Sequence, residues 1–221
     1  EGYGVAAARL TAAGLDGVEI LASHGYLLSQ FLSPRINQRL DEYGGTLQNR
    51  LRMIREIITC IRSYIGDRVL GIRLSAEAMV PDGATGEEML EVCQQLESDR
   101  DLTYFSFVLG SASTLGGSTH IVPPMEMPSD YAMPAITKLS SALSLPVIVT
   151  GRINQPQTAE RILCAKEADL CGMTRALIAD PDMPAKAITG ASDKIRVCIA
   201  CNQACTGHGL LGLPISCIQF P

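Results

Sequence analysis

The chain has 221 residues, of which 47% are hydrophobic and 19% are charged, a composition typical of a soluble globular protein. Its net charge of -5 and its pI of about 5.2 argue against a nucleic-acid partner, which would require a basic face, and against a membrane-surface partner. No apolar segment approaches the roughly 18 residues of a membrane helix, and the N-terminus lacks a signal-peptide pattern. We therefore expect a protein of the reducing cytoplasm.

Helical and extended patterns alternate along the chain. A first helix is predicted at about residues 4–13 and ends at Gly14. The clearest helix follows Thr46, a suitable N-cap, and places leucine and isoleucine side chains on one face as far as Ile65. Further helices are predicted at about residues 86–98, 134–143 and 157–165 and after Pro181, and strands at residues 17–21, 69–74, 104–109, 146–150 and 169–173.

This alternation predicts parallel β/α units. The strands are short apolar runs, as expected for strands with both faces buried. Five such strands could form a doubly wound open sheet, whereas a closed (β/α)8 barrel needs eight. The strand pattern alone leaves both folds open, and the loops that follow the strands carry more information.

Glycine and arginine lie close together after each of the last two predicted strands. Gly151 and Arg152 follow one strand, and Thr174 and Arg175 follow the other. Glycine lets a phosphate approach the backbone, and arginine binds its oxygens. Barrels commonly bind phosphate after strands seven and eight, so such a site would make these strands four to eight. The alternative is that both arginines form surface salt bridges.

Other polar side chains follow the first three predicted strands. Arg73 closes the second strand, where it could stabilise negative charge on a bound cofactor or form a rim ion pair. His24 and Tyr26 follow the first strand and can donate hydrogen bonds or protons, although a lone histidine is often structural. His120 lies in the long loop of residues 110–133, a candidate lid or pocket wall.

The eight cysteines fall into two groups. Four are scattered, and we expect them to be buried thiols: Cys60, Cys93, Cys164 and Cys171. The other four crowd near the C-terminus as Cys198-x2-Cys201-x3-Cys205-x11-Cys217. Iron–sulfur clusters are typically held by four thiolates, whereas structural zinc usually takes two C-x2-C pairs or a mixture of cysteine and histidine. The spacing favours a 4Fe-4S cluster over zinc, and disulfides are the weakest alternative.

Several segments resemble the old yellow enzyme family. Within residues 13–50 they read AGLDGVEI, HGYLLSQFLSPRINQR and DEYGGTLQNR. GRINQPQ, RALIADPDMPAKA and IRVCIACNQAC resemble the iron–sulfur branch of that family, whose members reduce enoate or dienoyl-CoA substrates or dehydrogenate amines. The resemblance covers essentially the whole chain. It implies a partial (β/α)8 barrel of about strands four to eight in residues 1–190, followed by an iron–sulfur segment in residues 191–221.

The resemblance also implies the cofactors and the residues that hold them. Arg73 matches the arginine at the N1/O2 edge of FMN. The FMN phosphate would lie against Gly151, Arg152, Thr174 and Arg175, and the 4Fe-4S cluster would be held by Cys198, Cys201, Cys205 and Cys217. Complete chains of the family continue into a flavin- and nicotinamide-binding region, so FAD and NAD(P)H are expected in the full-length protein.

Tyr26 matches a proton donor of the dienoyl-CoA reductases, and His24 matches the second residue of the family's paired histidine site. Leu21 stands in the first position of that pair and cannot hydrogen-bond a substrate carbonyl. Three hypotheses follow. The first is reduction of an activated C=C bond, the second is oxidation of a methylated amine, and the third is a flavin-free relic that binds structural zinc. Both enzyme hypotheses imply a small-molecule substrate, and a homo-oligomer is compatible with either.

Overall fold

The computed structural model describes residues 1–81 and 83–220, so Asp82 and Pro221, the last residue of the predicted iron–sulfur segment, lie outside the described residues. Five parallel strands form one sheet in the order β1-β2-β3-β4-β5. A doubly wound sheet reverses its strand order at a switch point, whereas here each strand pairs with the next one in the chain. The predicted consecutive β/α units of a barrel are therefore confirmed. The strands are β1 (Gly17–Ala22), β2 (Val69–Ser75), β3 (Tyr104–Val108), β4 (Val147–Thr150) and β5 (Leu170–Gly172).

The predicted helices are present, with ends that differ by a few residues. The helices are α1 (Gly2–Ala12), α2 (Leu27–Leu32), α3 (Leu47–Ile65), α4 (Gly86–Ser98), α5 (Leu115–Ile121), α6 (Met133–Ser140), α7 (Pro156–Cys164), α8 (Arg175–Ala179), α9 (Met183–Ile188) and α10 (His208–Leu210). The sequence did not predict α2, α5, α8 and α10, because they are too short to display a helical period. Among the described residues, no helix combines the length and apolar character needed to cross a membrane.

Helix α3 shows how the local sequence sets the helix ends. The Oγ1 atom of Thr46 accepts a hydrogen bond from the backbone N–H of Asn49 at 3.4 Å, which satisfies one of the free donors of the first turn. Gly66 ends the helix with a φ of 59°, a conformation that glycine adopts without a steric penalty. Leu51 and Ile54 are fully buried in the hydrophobic core.

The two faces of the sheet differ in polarity. The outer face packs under the helices, and most of its side chains are buried, with Ile72, Phe105 and Val149 fully so. The inner face carries polar groups instead. Arg73 and Glu19 form an ion pair there. The prediction that both strand faces are apolar therefore holds for the outer face, where side chains of period two meet the helices.

The C-terminal segment is attached by polar contacts as well as by a small apolar cluster around Met183 and Ile195. The buried carboxylate of Asp180 accepts hydrogen bonds from Lys186 Nζ at 2.6 Å and from the backbone N–H of Arg196 at 2.9 Å. Farther along, Asn154 Nδ2 donates to the carbonyl of Cys198 at 2.7 Å. These contacts position the start of the cysteine-rich segment beside the carboxyl ends of β4 and β5.

Candidate active site

A cavity of about 330 Å³ lies at the carboxyl ends of the strands. Its volume is in the range of cofactor sites, and its place in the fold is where parallel β/α proteins bind ligands. The predicted site residues that line it are His24, Arg73, Gly151, Arg152, Thr174, Arg175, Cys198 and Cys205, and they are joined by His120. The fold therefore brings together side chains that are more than 150 residues apart in the sequence.

Arg152 and Arg175 give one end of the cavity a strong positive charge. The Nε atom of Arg152 is buried and has no hydrogen-bond partner within residues 1–81 and 83–220. Gly151 precedes it, and a Cβ atom at this position would lie 2.6 Å from the Cβ of Ala132, so only glycine allows this packing. An unpaired, buried guanidinium nitrogen is costly, and an anionic ligand at this end of the cavity would remove that cost.

Arg175 is held by atoms of two other segments. Its Nη1 donates to the carbonyl of Pro123 at 2.8 Å and to Oδ1 of Asn202 at 2.6 Å. Burial lowers the pKa of Arg175 below its usual value. Asn202 was not predicted from the sequence. Its only sequence signal is its position directly after Cys201, together with the tolerance of asparagine for left-handed backbone conformations.

His24 lies at the end of β1 with its Nε2 buried and unpaired in the described part of the chain. Burial, and to a lesser extent the charge of Arg73, lower its pKa from 6.5 to about 4. The imidazole is therefore neutral at neutral pH. It can donate or accept one hydrogen bond per nitrogen, according to its tautomer, but it does not carry a proton to deliver as an imidazolium.

Arg73 lines the cavity and also forms an ion pair, so the rim ion pair is present and its role towards a cofactor stays a prediction. Its Nε lies 2.8 Å from Oε1 of Glu19, a charge contact without the alignment of a hydrogen bond. Tyr104 donates its hydroxyl hydrogen to the other oxygen of Glu19 at 3.0 Å. Burial raises the pKa of Tyr104 to about 12, which keeps the phenol protonated as a donor. Sequence reasoning did not identify this three-residue network.

Tyr26 lies outside the cavity wall. Its side chain is half exposed, and its ring meets the imidazole of His24 edge-on with the centroids 6.1 Å apart. Leu21, in the position predicted to matter for substrate, is 45% exposed on the inner face of the sheet. Neither residue lines the cavity, and both are accessible to solvent.

His120 is part of the cavity wall, in agreement with its place in the long loop. It belongs to α5, and its Nδ1 is buried without a partner among the residues that the structure describes. Tyr131 donates its hydroxyl hydrogen to the backbone carbonyl of His120, which ties α5 to the start of α6. The unpaired nitrogen makes His120 a further candidate for hydrogen bonding to a bound ligand.

All eight cysteines carry free thiols. Among the scattered four, Cys93 is buried, as expected, Cys60 and Cys171 are only partly buried, and Cys164 is exposed, so the expectation of burial is wrong for Cys164. Cys164 is the last residue of α7, and its thiol contacts Glu160 one turn earlier on the exposed side of that helix. Hydrogen bonding to that carboxylate, followed by its charge, raises the pKa of the Cys164 thiol.

The four C-terminal cysteines line a second, smaller cavity together with Arg175. Cys198 and Cys205 also line the large cavity, so the two spaces share a wall. Burial raises the pKa of the Cys198 thiol. Within the described residues, no three histidine, cysteine, aspartate or glutamate side chains are arranged to hold a metal ion. The thiols surround a common space without converging on one point.

The residues present fit both implied cofactors. FMN has an anionic phosphate and a ring edge that accepts hydrogen bonds, and the cavity offers an unpaired Arg152 at one end and Arg73 at another wall. Four free thiols around one space are the donor set that iron–sulfur clusters take. The shared wall would bring the two groups close together.

The fold and the cavity define a parallel β/α protein of the barrel type with a cationic ligand site at the carboxyl ends of its strands. Residues 1–194 match the family model described as the NADH:flavin oxidoreductase / NADH oxidase family, and the chain belongs to this family. The resemblance to the old yellow enzyme family and its iron–sulfur branch is therefore confirmed.

Curated relatives and a solved structure agree with this assignment. The chain is 41% identical over 98% of its length to a metal reductase of Desulforamulus reducens, and covers 32% of that protein. It is 35% identical over 96% of its length to the N,N-dimethylglycine/sarcosine dehydrogenase of Chromohalobacter salexigens, and covers 31% of it. A 2-naphthoyl-CoA reductase complex superposes with a TM-score of 0.93 at 32% identity, over 99% of this chain and 33% of the other. The chain thus spans about a third of these relatives.

Proposed function

We propose that this chain holds FMN in an oxidoreductase that also carries a 4Fe-4S cluster and reduces an activated C=C bond, of the dienoyl-CoA or enoate type, at the expense of NAD(P)H. The observation that carries the proposal is the cavity itself. It is lined by Arg73, Arg152 and Arg175, and it shares Cys198 and Cys205 with the space surrounded by the four thiols. The similarity to a 2-naphthoyl-CoA reductase supports the substrate class.

Each arginine has a separate role in this proposal. Arg152 and Arg175, with the backbone of Gly151 and Thr174, bind the phosphate of FMN. Arg73 faces the N1/O2 edge, where its charge stabilises the anionic form of the reduced ring. The ion pair with Glu19 keeps the Arg73 guanidinium in one orientation. FMN, when bound, supplies hydride transfer, and the cluster supplies single-electron transfer.

Tyr26 is the proposed proton donor to the substrate. Its side chain is half exposed, and its edge-on contact places it beside His24, which lines the cavity. His24 has a pKa lowered to about 4 and therefore stays neutral at neutral pH. In this role His24 orients the substrate by a hydrogen bond, and the proton comes from the phenol of Tyr26.

A second candidate function is the oxidation of a methylated amine. Leu21 exposes an apolar side chain at the position where a histidine would bind a substrate carbonyl, which suits a methylated amine better than an enone. The similarity to an N,N-dimethylglycine/sarcosine dehydrogenase supports this alternative. The zinc-binding relic is a third hypothesis. FAD, NAD(P)H, a homo-oligomeric state and a cytoplasmic location stay predictions for the full-length protein.

The first test is an anaerobic purification of the full-length protein with an absorption spectrum and metal analysis. Bound FMN and about four iron atoms per chain are expected, whereas a colourless protein with one zinc would leave only the relic. The flavin spectrum then separates the two enzyme functions. Enoyl-CoA thioesters and enoates should reoxidise the reduced flavin, whereas methylated amines should bleach the oxidised flavin.

Tyr26→Phe is expected to keep FMN and to lose about 100-fold or more in C=C reduction. Full activity of this variant would remove Tyr26 from the mechanism.

A further inference from the structure

We propose that Asn202 is the positioning residue that aims Arg175 at the phosphate of FMN. The inference rests on the proposed FMN site and adds to it a residue from the cysteine-rich segment. Asn202 lies between Cys201 and Cys205 in the chain. The segment that carries the thiols would therefore contribute to flavin binding.

The contacts of Asn202 form a bridge between two segments of the cavity wall. Its Oδ1 accepts from Arg175 Nη1 at 2.6 Å, and its Nδ2 donates to the carbonyl of Val122 at 2.9 Å. The neighbouring carbonyl of Pro123 accepts from the same Nη1 at 2.8 Å. Both polar ends of the amide are thus used, and one nitrogen of Arg175 is fixed by two acceptors.

The fixed nitrogen leaves the rest of the guanidinium available. The hydrogen bonds that Arg175 makes within the described residues all use Nη1, so its Nη2 and Nε remain for an anion in the large cavity. An arginine held on one side presents its other donors in a planar fork that matches phosphate oxygens. Less side-chain freedom is then lost when the anion binds, which increases affinity.

The backbone explains why asparagine suits this position. Asn202 has a φ of 58°, in the left-handed region, and its carbonyl accepts from the backbone N–H of Gly207 at 2.9 Å. Asparagine and glycine adopt this conformation most readily. Glycine therefore removes the bridging amide without straining the backbone, and Asn202→Gly isolates the contribution of the side chain.

The test compares two flavins that differ only in the phosphate. Full-length protein is deflavinated anaerobically, and its affinities for FMN and riboflavin are measured by flavin fluorescence. If Asn202 acts through Arg175, Asn202→Gly weakens FMN binding about tenfold, the size expected when a hydrogen bond to a charged group is lost, and changes riboflavin binding less than twofold. The exposed neighbour Gln203 provides the matched control, and Gln203→Ala should leave both affinities unchanged.

A double-mutant cycle tests whether Asn202 affects FMN binding through Arg175. In an Arg175→Ala background, Asn202→Gly should have no further effect on FMN affinity. Equal losses of FMN and riboflavin affinity, or additive losses in the double mutant, would overturn the inference while leaving the proposed FMN function standing. A wild-type protein that binds neither flavin would instead refute the proposed function. Iron content is measured for every variant, and if Asn202→Gly does not fold, Asn202→Ser, whose side chain is too short for the bridge, repeats the comparison.

Discussion

The β/α units and the cysteine-rich segment are held in place by different means. In the β/α units, every strand pairs with its neighbour and the outer face of the sheet is covered by apolar side chains from the helices. The cysteine-rich segment has short helical turns, a small apolar cluster and a few buried hydrogen bonds, including those to Asp180 and from Asn154. Packing that scales with buried area therefore stabilises the β/α units, whereas the cysteine-rich segment depends on individual polar contacts and on the proposed cluster.

The largest effect should come from the core of the β/α units. Phe105 is fully buried in β3 and stacks on Phe107 with the ring centroids 5.9 Å apart. Phe105→Ala should lower the free energy of unfolding by about 3–5 kcal/mol, because it removes buried apolar contacts and leaves a cavity. Urea unfolding followed by circular dichroism measures the change. Leu115→Ala, at a position that is 86% exposed, is the control and should cost about 0.5 kcal/mol or less.

A smaller, local effect is expected in the cysteine-rich segment. Cys198→Ser removes one of the four proposed cluster ligands and should abolish most iron binding in the full-length protein, since metal binding and folding of such a segment are coupled. Limited proteolysis should then cut within residues 195–220 while the circular dichroism of the sheet persists. The control is Cys164→Ser, at the exposed cysteine of α7, and this variant should bind as much iron as the wild-type protein. Iron retention in the Cys198 variant would contradict the proposed ligand set.

The smallest effect concerns the pH dependence of the same segment. Hydrogen bonding to Lys186, followed by the bond from Arg196, lowers the pKa of Asp180 below its ordinary value of 3.8. Because the folded-state pKa is lowered, the stabilisation is fully present above pH 3.8 and is lost as the pH falls through the folded-state value. Proteolytic release of the segment should rise in this acid range in the wild type. Asp180→Asn should release the segment more readily at neutral pH and show little further change on acidification.

The predictions from sequence were most accurate where the signal is local. Strand and helix positions follow from the hydrophobic period. The two ends of α3 follow from Thr46 and Gly66, because helix capping and turn formation depend on neighbouring residues. Arg152 and Arg175 were expected to meet because each follows a parallel strand, and the carboxyl ends of neighbouring strands lie at one edge. The short helices α2, α5, α8 and α10 were missed, since three to seven residues do not establish a period.

Consecutive residues were enough to predict the parallel β/α architecture, the family and the residue types at the strand ends, because periodicity, turn residues and motif spacing are local features. The contacts between side chains became visible only once the chain was folded. The tertiary structure paired Arg73 with Glu19 and Tyr104, left Tyr26 outside the cavity wall, and brought Asn202 to Arg175. Such contacts depend on the twist of the sheet and on the paths of the loops, and these are set by packing among segments that lie far apart in the chain.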